Sequence, residues 1–217
     1  MKRVIPYKAV IFDFDGVIVE STGIKTQAFH DLFKDHPRQV KKIVAYHRRN
    51  GGVNRFVKFR YIYKNLLRRP LSAAHIEFLG RRYASLVVQR VIACPFVPGA
   101  LPFLKKYHSQ IKLFVISGTP HRELLRIVHK RKLTRYFKGV YGAPTVKPVL
   151  ARRILRRWEL APSEVLYIGD AAADQQAARK TRVRFVGRRL GRSSPFSKRV
   201  LTIPTLRELP SLLKKGA

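Results

Sequence analysis

The sequence predicts an α/β fold: a Rossmann-like parallel sheet core with helices on both faces and a helical cap inserted after the first strand. Short apolar runs, rich in β-branched and aromatic residues, alternate with stretches of helical periodicity. Such alternation is typical of parallel strands joined by right-handed helical crossovers, which bury both faces of the sheet. One long stretch, residues 20–92, interrupts the alternation with helical periodicity alone.

Residues 8–14 form the first predicted strand, whose apolar run ends at Asp13. Similar runs predict strands at 111–116, 165–168 and 183–186, with a weaker one at 200–203. Helical patterns lie near 98–108, 120–132, 147–159, 171–180 and 205–214. Pro120 after Thr119 predicts a helix start, with Thr119 as the N-cap.

The inserted stretch divides into helical pieces at the turn-forming segments 35–37, 50–52 and 69–72. A chain of 217 residues suits one α/β domain with a modest insertion. We therefore expect a core domain made of residues 1–19 and 93–217, and a helical cap domain made of residues 20–92.

The charge balance is extreme, with 46 basic residues against 12 acidic ones and a formal net charge of +34. This predicts nonspecific attraction to polyanions, but the basic residues are spread along the whole chain, which favours a general surface bias over a dedicated site. The lone Cys94 excludes an internal disulfide. The sequence offers neither a signal peptide nor an apolar run of about 20 residues, so we expect a cytoplasmic protein without a membrane span.

The acidic residues are concentrated in two short segments. Residues 10–20 and 168–174 make up 18 of the 217 positions, so even scattering of 12 acids would place about one acid there. These segments hold five, namely Asp13, Asp15, Glu20, Asp170 and Asp174. Surface solvation does not explain this concentration, whereas a cation site does.

Polar residues follow the predicted strands at the point where each strand ends. Ligands of open parallel sheets bind beyond the carboxyl ends of the strands, so we expect segments 13–15, 117–119 and 169–174 to converge. Carboxylates brought together repel each other unless a cation neutralises them, and a site of a few carboxylate oxygens suits Mg²⁺. The sequence therefore predicts a magnesium site that binds together with a phosphate group.

Four ordered motifs carry a family resemblance. Asp13-Phe14-Asp15-Gly16-Val17 resembles the first motif of the haloacid dehalogenase superfamily, and the other three are matched by Ser117-Gly118, by Lys147 before Pro148, and by Gly169-Asp170 with Asp174. The insertion resembles the helical cap of the phosphoglycolate phosphatase and β-phosphoglucomutase branch. The chain departs from the pattern at residues 171–173, where three alanines replace the usual Ser or Thr after Asp170.

This resemblance implies an Mg²⁺-dependent phosphatase that acts through an aspartyl-phosphate. Asp13 is the implied nucleophile, and Asp15 the implied general acid and base. The resemblance implies Mg²⁺ ligation by Asp13, the Asp15 backbone carbonyl and Asp170. It implies phosphoryl contacts from Ser117, Gly118 and Lys147, and it leaves Asp174 to orient either Lys147 or a metal-bound water.

Segment 50–55 resembles the substrate-specificity loop of β-phosphoglucomutase-like caps. Arg55 is then the expected substrate contact, with Arg48 and Arg49 as weaker candidates, although any single Arg in so basic a chain also fits plain surface charge. The substrate class implied is a small phosphate monoester, of the sugar phosphate or phosphoglycolate type. Glu20 is expected to support the site or to face solvent, and all seven histidines are expected at the surface.

Three alternatives remain open at this level, one of which is the hydrolysis of nucleotide monophosphates. A β-phosphoglucomutase-like phosphomutase would use the same residues but return the phosphoryl group to a sugar. A basic nucleic-acid-binding protein on the same fold belongs to a different class, and no signature beyond net charge supports it. Binding that weakens steeply with salt and ignores sequence would indicate nonspecific attraction only.

Overall fold

The computed structural model describes residues 6–191 and 195–215, and within them the chain forms one parallel six-stranded sheet. The strand order is β3-β2-β1-β4-β5-β6, which places β1 near the centre. The strands are β1 (Ala9–Phe12), β2 (Lys112–Pro120), β3 (Gly139–Ala143), β4 (Val165–Gly169), β5 (Arg184–Arg188) and β6 (Thr202–Ile203). This confirms the predicted α/β fold class.

Helices cover both faces of the sheet. They are α5 (Ala100–Tyr107), α6 (His121–Lys130), α7 (Lys147–Arg157), α8 (Ala172–Thr181) and α9 (Leu209–Lys215). Side chains of β1 alternate between two buried clusters: Val10 and Phe12 lie in the larger cluster, whereas Ala9 and Ile11 face the smaller one. Burial on both faces explains why this strand is a continuous apolar run in the sequence.

Residues 20–92, between β1 and α5, form helices joined by short connections, as the periodicity predicts. The helices are α1 (Thr22–Leu32), α2 (Pro37–Arg49), α3 (Arg55–Tyr61), a π-helical turn at Ile62–Leu67, and α4 (Ala73–Ala93). Their shared core includes the aromatic rings of Phe29, Phe59 and Tyr83, whose centroids lie 5.0–6.3 Å apart. No described helix is both long and apolar enough to cross a membrane.

The register of the sheet brings the predicted motifs to one edge. Phe12 at the end of β1 is level with Val115 of β2 and with Ile168 of β4. The polar residues that follow these three positions therefore meet beyond the carboxyl ends of the strands, as expected for an open parallel sheet.

Two details differ from the sequence-based expectations. Strand β3 was not predicted, because its five residues begin with glycine and are only partly buried at the sheet edge. The prediction of Thr119 as an N-cap was wrong: α6 begins at His121, Pro120 is its N-cap, and no side chain caps the helix. The Thr119 hydroxyl instead donates to the Asp15 carboxylate.

Candidate active site

Asp13 directly follows β1 and is 2% exposed. Its backbone N–H donates to the Ile168 carbonyl at 2.9 Å. Its Oδ1 atom accepts from the Phe14 N–H at 2.8 Å and lies 3.0 Å from Lys147 Nζ. Burial raises the pKa of Asp13 to about 7, and the positive charge of Lys147 opposes that rise. The carboxylate is held firmly, but full ionisation at neutral pH requires further positive charge beside it.

Asp15 lies two residues further along and is held by four side chains. Its Oδ2 atom lies 2.5 Å from Lys25 Nζ and accepts from the hydroxyls of Ser117 and Thr119, both at 3.2 Å. Ser21 donates to Oδ1 at 2.7 Å. Burial raises the pKa of the Asp15 carboxyl, but the charge of Lys25 and these hydrogen bonds outweigh it, so the pKa lies below its usual value. Asp15 is therefore ionised in this arrangement.

The turn after β1 depends on a glycine and an arginine. Gly16 has φ of +75°, and a Cβ at this position would overlap the Asp170 carboxylate. Arg188 donates to the Gly16 carbonyl at 3.1 Å and pairs with Glu20 through two hydrogen bonds of 3.0 and 2.7 Å. Glu20 thus supports the turn through Arg188.

Lys147 opens α7, as predicted, and joins two carboxylates. Its Nζ lies 2.7 Å from Asp174 Oδ1 and 3.0 Å from Asp13 Oδ1. Tyr167 donates to the same Asp174 oxygen at 3.1 Å, and the Ala171 N–H donates to Asp174 Oδ2 at 3.2 Å. Burial favours the neutral amine, but the charges of both carboxylates outweigh it and raise the pKa of Lys147. Asp174 is thus placed to orient Lys147.

Asp170 is the carboxylate that best fits a metal ligand. One oxygen each of Asp13, Asp170 and Asp174 lies within 4.8 Å of the others. No described residue donates a hydrogen bond to the Asp170 carboxylate, whereas both oxygens of Asp174 are engaged. Burial and the charges of the two other carboxylates raise the pKa of Asp170 well above its usual value. A divalent cation would remove this conflict, so the donor set fits the expected metal.

The loop between α2 and α3 lies directly over this edge of the sheet. A Cβ on Gly118 would overlap the Gly52 carbonyl, and one on Gly52 would lie 3.1 Å from Lys147 Nζ. A Cβ on Gly51 would lie 3.0 Å from the Ala171 side chain. Glycines and the small Ala171 therefore permit the close approach of this loop to the carboxylate-rich edge.

Arg55, the expected substrate contact, lines the cavity but is engaged by an acid. Its two terminal nitrogens pair with Glu123 of α6 at 3.0 and 2.5 Å. Its guanidinium carbon lies 5.1 Å from the centre of the Tyr83 ring. The side chains of Arg55 and Glu123 are only 9% and 12% exposed, so this bidentate pair is largely shielded from water.

The prediction that every histidine lies at the surface was wrong for His47, which is buried. It packs on Phe29 with ring centroids 4.1 Å apart, and its Nδ1 atom lies 3.3 Å from the buried Lys58 Nζ. Burial lowers the pKa of His47 to about 2, with a further contribution from the charge of Lys58. His47 is therefore neutral near pH 7.

The sheet edge and the helices enclose a cavity of about 760 Å³. Asp13, Asp15, Gly118 and Asp170 lie on its sheet side, and its helical side includes Lys25, His47, Arg48, Arg49, Arg55 and Lys58. Arg48 and Arg49 are exposed. Ser117 and Lys147 are buried beside the cavity through their contacts with Asp15 and Asp13.

Sequence reasoning missed three side chains at this site, Lys25, Lys58 and Glu123, and it expected Thr119 at this edge of the sheet without its contact to Asp15. Glu123 carried a usable signal, since it is one of only 12 acids and follows the second motif closely. Lys58 lies three residues after Arg55, a spacing that places both on one helix face. Lys25 offered no signal that sets it apart from the many other cations of the chain.

Comparison with known proteins identifies the family to which this chain belongs. Residues 10–188 match the haloacid dehalogenase-like hydrolase family. The chain belongs to this family. The match includes the segments of all four motifs and the whole helical stretch between β1 and β2.

Related sequences and structures agree with this assignment. A phosphoglycolate phosphatase of Pseudomonas fluorescens is 23% identical over 97% of this chain and 81% of its own length. A phosphorylated carbohydrates phosphatase of Thermotoga maritima is 26% identical over 79% of this chain and 80% of its own length. The structure of CbbY from Rhodobacter sphaeroides in complex with phosphate superposes with a TM-score of 0.71 at 17% identity, covering 94% of this chain and 96% of the other.

Proposed function

We propose that this protein is an Mg²⁺-dependent phosphatase that hydrolyses a small phosphate monoester through an aspartyl-phosphate on Asp13. The observation that carries the proposal is the placement of Asp13. This buried carboxylate at a strand end contacts Lys147, lies beside Asp170, and lines the cavity. The phosphatase names of the related sequences support the same reaction class.

In the first step, a carboxylate oxygen of Asp13 attacks phosphorus, and the bond between phosphorus and the leaving oxygen breaks. Lys147, Ser117 and the backbone at Gly118 hold the phosphoryl oxygens and stabilise the charge that develops on them. Lys147 also lies between Asp13 and Asp174, which fixes the position of its ammonium before the substrate arrives. The arrangement therefore supplies charge stabilisation without reorganisation during the reaction.

Asp15 moves the protons. As general acid it gives a proton to the leaving alcohol, and as general base it then takes one from the water that attacks the aspartyl-phosphate. Lys25 keeps Asp15 ionised in the present arrangement. An incoming phosphate dianion competes for Lys25 and Thr119, which weakens their hold on Asp15 and favours its protonation. Lys25 thus couples substrate binding to the state of the general acid.

Mg²⁺ would be held by Asp13, the Asp15 backbone carbonyl and Asp170. When bound, it neutralises these carboxylates and stabilises charge on the transferring phosphoryl group. The raised pKa values of Asp13 and Asp170 support this assignment, because both carboxyls need added positive charge to ionise.

Residues 20–92 would form a cap domain over a core made of residues 1–19 and 93–217. The close approach of Gly52 to Gly118 and the ion pair between Arg55 and Glu123 support a closed arrangement of this cap. Closure excludes water other than the attacking molecule and strengthens the electrostatic contacts inside the cavity.

The test is phosphate release from a panel of small phosphate esters, with Mg²⁺ and with EDTA, by wild type and by Asp13→Asn. Removing the nucleophile should lower kcat by about 10⁴-fold or more. Magnesium-dependent turnover that disappears in Asp13→Asn is the expected result. Equal activity of the two proteins would refute the proposal, and formation of a hexose bisphosphate in place of free phosphate would indicate the phosphomutase.

A further inference from the structure

Lys58 of α3 is a buried cation on the helical side of the cavity. It is 3% exposed and is among the residues that line the cavity. Its Nζ lies 3.3 Å from both the Nδ1 atom and the carbonyl oxygen of His47, and 5.6 Å from the centre of the Phe29 ring. These neighbours are neutral, so they solvate the ammonium without balancing its charge.

The other buried or half-buried cations in and beside the cavity are paired with acids. Lys25 pairs with Asp15, and Arg55 pairs with Glu123. Lys147 contacts both Asp13 and Asp174. None of the ion pairs found among residues 6–191 and 195–215 includes Lys58, although that part of the chain contains all 12 acidic side chains.

An unpaired ammonium in such a place is costly, because burial removes its hydration. Burial, together with the nearby charges of Lys25 and Lys147, lowers the pKa of Lys58 to about 7. A structural role as a hydrogen-bond donor to the His47 carbonyl does not require a charge, since a neutral donor would serve. A ligand anion entering the cavity would supply the missing negative charge.

We propose that Lys58 binds a second anionic group of the substrate, a carboxylate or a second phosphate, on the cavity wall opposite Asp13. This inference rests on the proposed phosphatase function and narrows its substrate class to phosphate esters with a negatively charged tail. It moves the expected tail contact from Arg55, whose charge Glu123 balances, to Lys58. The Lys58 ammonium has three N–H donors, and its contacts with His47 use at most two of them. One donor is then left to bind an anion in the cavity.

The experiment compares kcat/KM for three esters that differ only in the tail: phosphoglycolate, ethylene glycol bisphosphate and ethyl phosphate. The proteins are wild type, Lys58→Met, Lys58→Arg and the matched control Lys64→Met, which removes an exposed lysine from the neighbouring turn. Wild type should prefer at least one anionic tail over ethyl phosphate, and the preferred tail separates the carboxylate from the phosphate. Lys58→Met should lower that preference about tenfold or more, because a charge-assisted hydrogen bond is lost.

Lys64→Met should keep the wild-type preference, and Lys58→Arg should restore part of it. Absence of any preference in wild type would overturn the inference. Equal loss of activity on all three esters by Lys58→Met, with a lowered Tm, would also overturn it by indicating a purely structural lysine.

A binding measurement separates this inference from the proposed function. The dissociation constants of the same three esters are measured on Asp13→Asn, with and without Lys58→Met. Tighter binding of an anionic tail that depends on Lys58 would support the subsite even if wild type hydrolysed none of the esters. Equal affinities with and without Lys58→Met would overturn the subsite even if wild type proved to be an active phosphatase.

Discussion

The cavity has a sheet wall, formed by residues that follow the strand ends, and a helical wall, formed by residues of the stretch 20–92. The two walls carry opposite charges, and the charges of each wall are balanced in a different way. The sheet wall presents the carboxylates of Asp13, Asp15 and Asp170, whose repulsion Lys147 relieves only in part. The described residues of the helical stretch 20–92 that line the cavity include no acid. Two helical cations pair across the cavity with acids of the core, whereas Lys58 does not.

This difference assigns two tasks to the two walls. Asp13 and Asp170 of the sheet wall need added positive charge to ionise, which suits the proposed metal and nucleophile. Lys58 of the helical wall has no acidic partner among the described residues, which suits the anionic substrate tail that we propose.

Lys147→Met should have the largest effect of the following three changes, because it leaves two buried carboxylates without their shared partner. We expect the free energy of unfolding to fall by about 3–5 kcal/mol and kcat to fall by about 10²–10³-fold. Urea unfolding and phosphate release measure the two quantities. Lys180→Met, at an exposed position on α8, is the matched control. Indistinguishable results for the two variants would show that the sheet wall does not depend on Lys147.

Glu123→Gln should have an intermediate effect, since it removes the acid that balances Arg55. The loss of a charge-assisted bidentate pair should lower the free energy of unfolding by about 2 kcal/mol. Glu77→Gln breaks an exposed pair with Arg81 and should change it by no more than about 0.5 kcal/mol. If chemical unfolding gives the same small change for both, the helical wall is not held to the core through Arg55.

Lys58→Met should have the smallest effect on the free energy of unfolding. At neutral pH this variant should raise that free energy, whereas the two preceding variants lower it. The pKa of Lys58 is about 7 in the folded protein, below the usual value of 10.5, so the unfolded chain binds more protons between these values. Wild-type stability should therefore gain from this group as the pH rises from about 7 to 10.5. The variant should be more stable than wild type by about 1–2 kcal/mol below pH 7, and this advantage should shrink above it.

Thermal unfolding of wild type, Lys58→Met and Lys64→Met between pH 5 and pH 10 measures this dependence. The charges of Lys25 and Lys147 lower the pKa of Lys58, and those of Asp15 and Asp170 raise it. Mg²⁺ is omitted from the measurement, so that the charge of the sheet wall does not change with metal binding. A pH-independent difference between wild type and Lys58→Met would show that this lysine is not buried as a charge.

The sheet wall could be predicted from the sequence, because its residues follow strand ends that the topology brings together. Asp13, Asp15, Ser117 and Asp170 each come after an apolar run, and parallel pairing aligns those runs. Strand β3 escaped prediction because a short edge strand that begins with glycine lacks such a run.

The helical wall was predicted as helices but not as a set of contacts. Lys58 and His47 belong to strongly basic helices, in which each Lys or His indicates solvent exposure unless the packing is known. Their burial depends on how α3 packs against α2 and α1, which local periodicity does not encode. The partner of Arg55 was equally hidden, since 68 residues separate it from Glu123 in the sequence.

The most direct test of the central claim is to trap the phosphorylated enzyme. Asp15→Asn should still accept a phosphoryl group from an activated ester in the presence of Mg²⁺, but should release it slowly because no base activates the water. Acid quenching and mass spectrometry of peptides should then find the phosphoryl group on Asp13, and none in the double variant with Asp13→Asn. Phosphate release without any adduct on Asp13, or an adduct on another residue, would contradict the account.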